Sequence, residues 1–222
     1  MIIAIDGPSA SGKSTVARKT AEELGFIYVD SGSLYRGITW YTAAKKGLRD
    51  PDRSDVSALL VGMKMDFFIE GGAVLFTVDG HDPGTALRSA MIHESVSHIA
   101  AMPEVRATVK GWLRSMTRFG SLVMEGRDIG TAVFPEAEHK FYLDASPAER
   151  ARRRLAQEHD SPSSMDSVRK SLERRDTIDS SRKADPLKVA DDAVIIDSTS
   201  MSVGDAVAVV VERVGRNMPV PA

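Results

Sequence analysis

The stretch Ile2-Ile3-Ala4-Ile5-Asp6-Gly7-Pro8-Ser9-Ala10-Ser11-Gly12-Lys13-Ser14-Thr15 carries the strongest structural signal in this sequence. Ile2 to Ile5 is a short continuous apolar run, as expected of a strand covered on both faces in a parallel sheet. Gly7 to Ser14 matches the pattern G-x-x-x-x-G-K-[ST], which chance supplies in roughly 0.01 of chains with ordinary usage of these residues. Glycines let the backbone fold tightly, so that successive N–H groups turn toward phosphate oxygens. The helix that follows adds its positive end. Val16, Ala17, Thr20, Ala21 and Leu24 recur at helical spacing until Gly25 stops the helix, and Phe26-Ile27-Tyr28-Val29 reads as the next strand. This strand–loop–helix–strand unit implies a bound nucleoside triphosphate. Lys13 would reach its β- and γ-phosphates, and the Ser14 hydroxyl would ligate Mg²⁺.

Outward from that unit the chain keeps an α/β rhythm. Ser121 to Met124, Lys140 to Leu143 and Ala193 to Ile196 are strand-like, and a closing helix is expected near Ser202–Val214. Five core strands fit a three-layer α/β sandwich of the P-loop NTPase type, with a five-stranded parallel sheet. Helices are expected over Ser33–Lys46, ended by Gly47, and over Arg88–Ala101 and Glu104–Phe119, separated by Pro103. Asp66–Ile69 and Val74–Val78 flank Gly71-Gly72 and predict a small antiparallel insert. Residues 150–182 hold eight of the nineteen arginines, split by the turn Asp160 to Ser164, and read as an exposed helical hairpin. The division expected is one kinase domain: a core of 1–37, 96–150 and 183–222, an insert of 38–95 and a lid of 151–182. The tail from Asn217 to Ala222 is expected to be loose.

Composition narrows the chemistry. Of 222 residues 42% are apolar, enough for a sizeable core, and 29 Lys+Arg against 31 Asp+Glu give a formal charge of −2. That balance argues against a nucleic-acid partner, which calls for a basic face. The absence of cysteine removes disulfides, thiolate metal sites and cysteine nucleophiles, and no His pair stands at i, i+4. No signal peptide and no apolar run long enough to span a membrane is visible, so a cytoplasmic protein without membrane partner is expected. The only asparagine is Asn217, so the N-K-x-D base-reading motif of GTPase switches does not occur. A phosphotransferase, a nucleotide-driven switch and a motor compete at this point. The arginine-rich stretch favours the first, because arginine stabilises charge spread over a transferring phosphoryl group.

Two further clusters follow strands. Asp30-Ser31-Gly32-Ser33-Leu34-Tyr35-Arg36 comes after the second and Glu125-Gly126-Arg127-Asp128-Ile129-Gly130 after the third. In open α/β sheets the ligand crevice lies beyond the carboxyl ends of the strands. Ser31, Arg36 and Arg127 are therefore expected beside the phosphate loop. A helix cap at Ser31 or Ser33 and a structural Arg127–Asp128 pair are the plainer readings. Arg175, Asp179 and Arg182 share one face if that segment is helical, whereas Asp176 falls off it.

Taken together these residues resemble the bacterial cytidylate kinases, within the nucleoside monophosphate kinases. The resemblance runs along nearly the whole chain. It is carried by GPSASGKST (7–15), DSGSLYR (30–36), IAAMPEVR (99–106), EGRDIGTAVFP (125–135), FYLDAS (141–146), RDTIDSSR (175–182), DPL (185–187) and IDST (196–199). It implies transfer of a phosphoryl group from ATP to CMP or dCMP, by a monomer. It further implies that Gly7, Pro8, Ser9, Ala10, Ser11, Gly12, Lys13, Ser14 and Thr15 cradle ATP, and that Arg36 and Arg127, with Ser31 and Tyr35 nearby, clamp the acceptor phosphate. Ser97, Arg106, Asp128 and Arg182 are implied to read cytosine, Asp179 to contact the sugar and Arg175 to face phosphate. Lys13, Arg127, Asp128, Arg153 and Arg154 are the implied catalytic set. Many family members carry Gly at the position of Ser14, and the segment from Glu158 to Ser164 is unlike the common family sequence. A kinase for another monophosphate such as UMP, and an ATP-bound regulatory or RNA-binding module, are the alternatives.

Overall fold

A computed structural model describes residues 1–45, 47, 51–157 and 164–215. Strand β1 (Ile2–Asp6) is buried along its whole length and is the middle one of five parallel strands. Its side chains alternate between two cores, as the period of two requires. Ile2 and Ala4 face one core, with Leu34, Ile38, Val105 and Val109, while Ile3 and Ile5 face the other, with Val16, Phe141, Val207 and Val210. The first core is covered by α2 (Ser31–Trp40), which continues as one π-helical turn over Tyr41–Lys45, and by α4 (Ala90–Ala100) and α5 (Pro103–Ser115). The second is covered by α1 (Lys13–Leu24) and α8 (Val203–Gly215). The result is three layers, helix–sheet–helix. Each fully buried Ile, Val or Phe contributes about 1.5–3 kcal/mol of transfer free energy to holding them together.

Strands β2 (Ile27–Asp30), β5 (Leu122–Gly126), β6 (His139–Asp144) and β7 (Val194–Asp197) run parallel to β1 in the order β2-β5-β1-β6-β7. The five expected parallel strands are therefore present. The sheet has seven strands, however, because the antiparallel pair β3 (Met65–Glu70) and β4 (Ala73–Val78) continues it beyond β2. The junction is short: Tyr28 pairs with Ala73, and the Tyr28 N–H donates to the Gly72 carbonyl at 2.9 Å. Burial of Phe76 and Val78 in the first core fixes the pair there. The approach is close enough to require Gly37, since a Cβ at that position would lie 2.8 Å from the Phe76 ring.

Helical boundaries differ from the sequence expectation at three places. Helix α3 (Arg53–Gly62) was not foreseen. Val56, Leu59 and Leu60 recur at i, i+3 and i+4 and pack on the first core, although only Val56 is fully buried, and the helix starts with a reciprocal capping box between Asp52 and Asp55. Pro103 does not separate two helices. It is the first residue of α5, where its missing N–H has no intrahelical partner to lose. The long helix expected to reach Lys46 leaves α-geometry at Tyr41. Helices α6 (Pro147–Gln157) and α7 (Met165–Ser181) form the arginine-rich pair. They are less exposed than expected, because Arg150, Arg175 and Asp179 are buried together with Ala151, Val168 and Leu172. Most of the turn between them, and the tail from Asn217, lie outside the described residues.

Candidate active site

The loops after β1, β2 and β5 leave the same edge of the sheet and meet in one cleft that opens to solvent. The phosphate loop forms its floor. Gly7 has φ +154°, and a Cβ there would fall 2.1 Å from the Leu143 carbonyl oxygen, so β6 permits only glycine. Gly12 (φ +96°) caps α1 and Ala10 takes the unusual φ +61°. The Lys13 ammonium folds back to donate to the Pro8 carbonyl at 2.9 Å and stands 4.0 Å from Glu125 Oε2. Burial, reinforced by Arg127, pushes the Lys13 pKa down; burial, reinforced by Asp30, pushes that of Glu125 up. Both shifts reflect charges held out of water with incomplete compensation, which an incoming polyphosphate would supply for Lys13.

Ser14 Oγ donates to Glu125 Oε1 at 2.5 Å, and Tyr28 donates to the same oxygen at 3.2 Å. Among the described residues no group of three or more His, Cys, Asp or Glu could hold a metal by itself. A hydroxyl beside a buried carboxylate is nevertheless a donor set suited to Mg²⁺, which keeps waters and shares its remaining positions with phosphate oxygens. The residues present fit that ion.

The second wall begins at β2 and β5. Asp30 caps α2, its Oδ1 accepting from Ser33 N–H at 3.1 Å, which leaves Ser31 to donate instead to the Glu125 carbonyl at 2.7 Å. Ser31 thus ties β2 to β5 as well as lining the cleft. Gly126 is forced by this contact, since a Cβ would sit 2.6 Å from Ser31 Oγ. Among the described residues Arg36 has a single long ion pair, 3.9 Å to Asp30, and its head remains partly exposed in the cleft. Arg127 donates to Ser9 Oγ at 2.8 Å and to Asp179 at 2.9 Å, bridging the phosphate loop and α7.

Asp128 is the hub of the far end. It accepts from Arg106 through one oxygen and from Arg182 through the other, at 3.3 Å for the latter. Arg106 also donates to Asp185 at 3.0 Å and lies over the Tyr35 ring, 5.5 Å from its centroid. Arg182 further donates to the Asp185 carbonyl at 2.8 Å. Ser97 is buried on α4 and lines the same end. A lattice of donors fixed by carboxylates, with Ser97 beside it, can recognise a base edge carrying both donor and acceptor groups.

The structure brings into one cleft Ser9, Ala10, Gly12, Lys13, Ser14 and Thr15, together with Ser31, Tyr35, Arg36, Ser97, Arg106, Arg127, Asp128, Arg154, Arg175, Asp179 and Arg182. Gly7, Pro8 and Ser11 support the loop from outside that lining. Arg153 lies elsewhere: its guanidinium donates to the Ser11 carbonyl at 2.8 Å and to Ser198, behind the loop. Asp176 accepts from the Ser9 N–H at 3.1 Å and pairs with Arg150, so it too braces the loop. Three functional neighbours escaped the sequence reading. Glu125 stood inside a quoted motif without a role. Asp6 accepts from the N–H groups of Ile129 and Gly130, both at 2.8 Å, and so holds the turn carrying Asp128; burial pushes its pKa up to about 7. His93, in α4, accepts from Arg154 and Arg175.

Comparison with known proteins agrees with this geometry. The family model for cytidylate kinase matches residues 3–216. The chain is 43% identical over 218 residues to the cytidylate kinase of Pelotomaculum thermopropionicum, covering 96% of this chain and 95% of that one. It is 40% identical over 222 residues to the cytidylate kinase of Geobacillus sp. (strain WCH70), covering 96% and 97%. It is also 42% identical over 225 residues to a bifunctional pantoate ligase/cytidylate kinase of Synechococcus sp. (strain RCC307), and there it spans only 44% of the relative's length. A phosphate loop facing a carboxylate-anchored arginine cluster, in a chain matched end to end by these relatives, leaves one assignment: the chain belongs to the cytidylate kinase family.

Proposed function

We propose that this cleft transfers the γ-phosphoryl group of ATP to CMP or dCMP, giving ADP and CDP or dCDP. The observation that carries the proposal is the convergence of Lys13, Arg36, Arg127, Arg154 and Arg175 on one cleft whose far end is the Asp128–Arg106–Arg182 lattice. An acceptor monophosphate has its second pKa near 6, so at neutral pH a phosphate oxygen is already a nucleophile and no general base is needed. That oxygen attacks the γ-phosphorus as the bond to the ADP oxygen breaks. The protein's work is alignment and charge stabilisation. Lys13 and the loop amides hold the β- and γ-phosphates, and Arg36 and Arg127 hold the acceptor phosphate. Arg106, Asp128, Arg182 and Ser97 read cytosine, and Asp179 and Arg175 bind near the sugar and phosphate. Mg²⁺, held through Ser14, would neutralise phosphate charge.

We take the enzyme to be cytoplasmic and monomeric. Among the described residues no helix is long and apolar enough to cross a membrane, which is compatible with that view. The test of the proposal is a coupled ADP-release assay with and without CMP. Acceptor-dependent ADP formation supports transfer, whereas slow hydrolysis indifferent to CMP refutes it.

A further inference from the structure

His93 lies on α4, the helix that also carries Ser97, and it faces the arginine-rich pair across the cleft. Arg175 Nη1 lies 2.9 Å and Arg154 Nη2 3.1 Å from its Nε2, with Arg175 Nη1 also 3.4 Å from Nδ1. Guanidinium groups only donate, so Nε2 receives both through its lone pair and the ring proton resides on Nδ1. A protonated ring could not accept at all. Arg154 from α6, Arg175 from α7 and Arg36 from α2 all oppose protonation, as does burial.

The partners of the other cleft arginines are of a different kind. Arg127 rests on Asp179, and Arg106 and Arg182 on Asp128. For Arg175 the hydrogen-bond acceptor among the described residues is the neutral imidazole. A carboxylate in that place would hold the guanidinium equally well, but it would cancel the charge and compete with phosphate. An imidazole orients the cation and leaves its full charge directed into the cleft.

We propose that His93 is a positioning residue for phosphoryl transfer: a neutral acceptor on the acceptor-side helix that sets Arg175 in place for phosphate without neutralising it. This rests on the phosphotransfer function above, and it concerns a residue outside every motif that led there. The signal was absent from the sequence because His93 sits 61 residues from Arg154 and 82 from Arg175.

The test is ADP release with ATP and CMP for the full chain and for His93→Ala, His93→Gln and His93→Glu, each with its thermal unfolding midpoint. His93→Ala is expected to lose about tenfold in kcat/KM for CMP. His93→Gln, an uncharged acceptor, recovers to within about threefold of the unsubstituted chain. His93→Glu falls at least as far as His93→Ala although its unfolding midpoint is no lower than that of His93→Gln. Three results overturn the proposal: His93→Ala within twofold of the unsubstituted chain, His93→Gln falling as far as His93→Ala, or His93→Glu as active as His93→Gln. If His93→Ala does not fold, the comparison of Gln with Glu decides alone. An unsubstituted chain without CMP-dependent ADP release refutes the function itself, and His93's role with it; a flat variant series on an active chain refutes only His93.

Discussion

Arg127 Nε donates to Asp179 Oδ2 at 2.9 Å, joining the turn after β5 to helix α7 across the cleft. The same carboxylate lies 3.5 Å from Arg182 Nη1. Asp179 therefore orients two of the cleft arginines, in addition to the sugar contact proposed for it. Asp179→Asn is expected to lower kcat/KM for CMP by about a hundredfold and to change the CMP-to-dCMP preference, measured by steady-state kinetics with both acceptors. An Asp179 of purely structural importance would lower the unfolding midpoint and leave that preference alone.

Lys13→Ala should reduce kcat by about two to four orders of magnitude, because a buried ammonium touching the transferring charge is worth several kcal/mol. The check is single-turnover ADP formation. An unaltered rate would contradict the donor-side assignment.

Asp128→Ala leaves Arg106 and Arg182 without their shared buried carboxylate. Breaking a buried pair from one side costs about 3–5 kcal/mol, so the unfolding midpoint should drop along with CMP affinity. ATP affinity, measured by calorimetry, should stay within about threefold, since the Asp128 carboxylate accepts from Arg106 and Arg182 at the far end of the cleft.

Much of this was legible from residues 7–15, 30–36 and 125–130, and for a physical reason. Gly7 and Gly12 hold positive-φ backbone that favours glycine, Gly126 leaves room for Ser31 Oγ, and strand ends aim their neighbours at one edge. Arg153 shows where that legibility stops. A helix of arginines does not reveal which faces the cleft, and only packing sends Arg153 behind the loop to Ser198. The junction of β4 to β2 depends on a single residue pair, too little to register in a pattern. Helix α3 has only a short apolar stripe, Val56, Leu59 and Leu60, and its start is marked by Asp55 where the usual capping signature has Glu or Gln. Asp6 and Glu125 stand just past the expected strand runs, and their work depends on partners more than a hundred positions away.

His93 also makes stability sensitive to acid. Its pKa is pushed down from 6.5 to about 3 by burial and by Arg175, Arg154 and Arg36. Between those values the unfolded chain binds a proton that the native chain refuses, so stability is full above pH 6.5 and is lost as pH falls toward 3. The slope from this one residue is up to about 1.4 kcal/mol per pH unit, reduced by its partial exposure. Chemical denaturation at pH 7, 6, 5 and 4 should give a shallower decline for His93→Gln than for the unsubstituted chain; parallel declines would contradict the assignment of the neutral ring.

Removal of divalent cations with EDTA should stop transfer. Ser14→Ala should raise the half-saturating Mg²⁺ concentration several-fold without abolishing activity, because most ligands of this ion are phosphate oxygens and water. The readout is a Mg²⁺ titration of ADP release at saturating ATP and CMP. A half-saturation unchanged in Ser14→Ala would remove the hydroxyl from the metal site.

The most direct test is a screen of ribo- and deoxyribonucleoside monophosphates as acceptors, comparing kcat/KM at fixed ATP·Mg²⁺. CMP and dCMP should exceed AMP and GMP by several orders of magnitude and UMP by a clear margin, as expected when buried polar groups read the exocyclic amino group. ADP formation at one slow rate whatever the monophosphate, or a purine nucleotide as the best acceptor, would contradict the account.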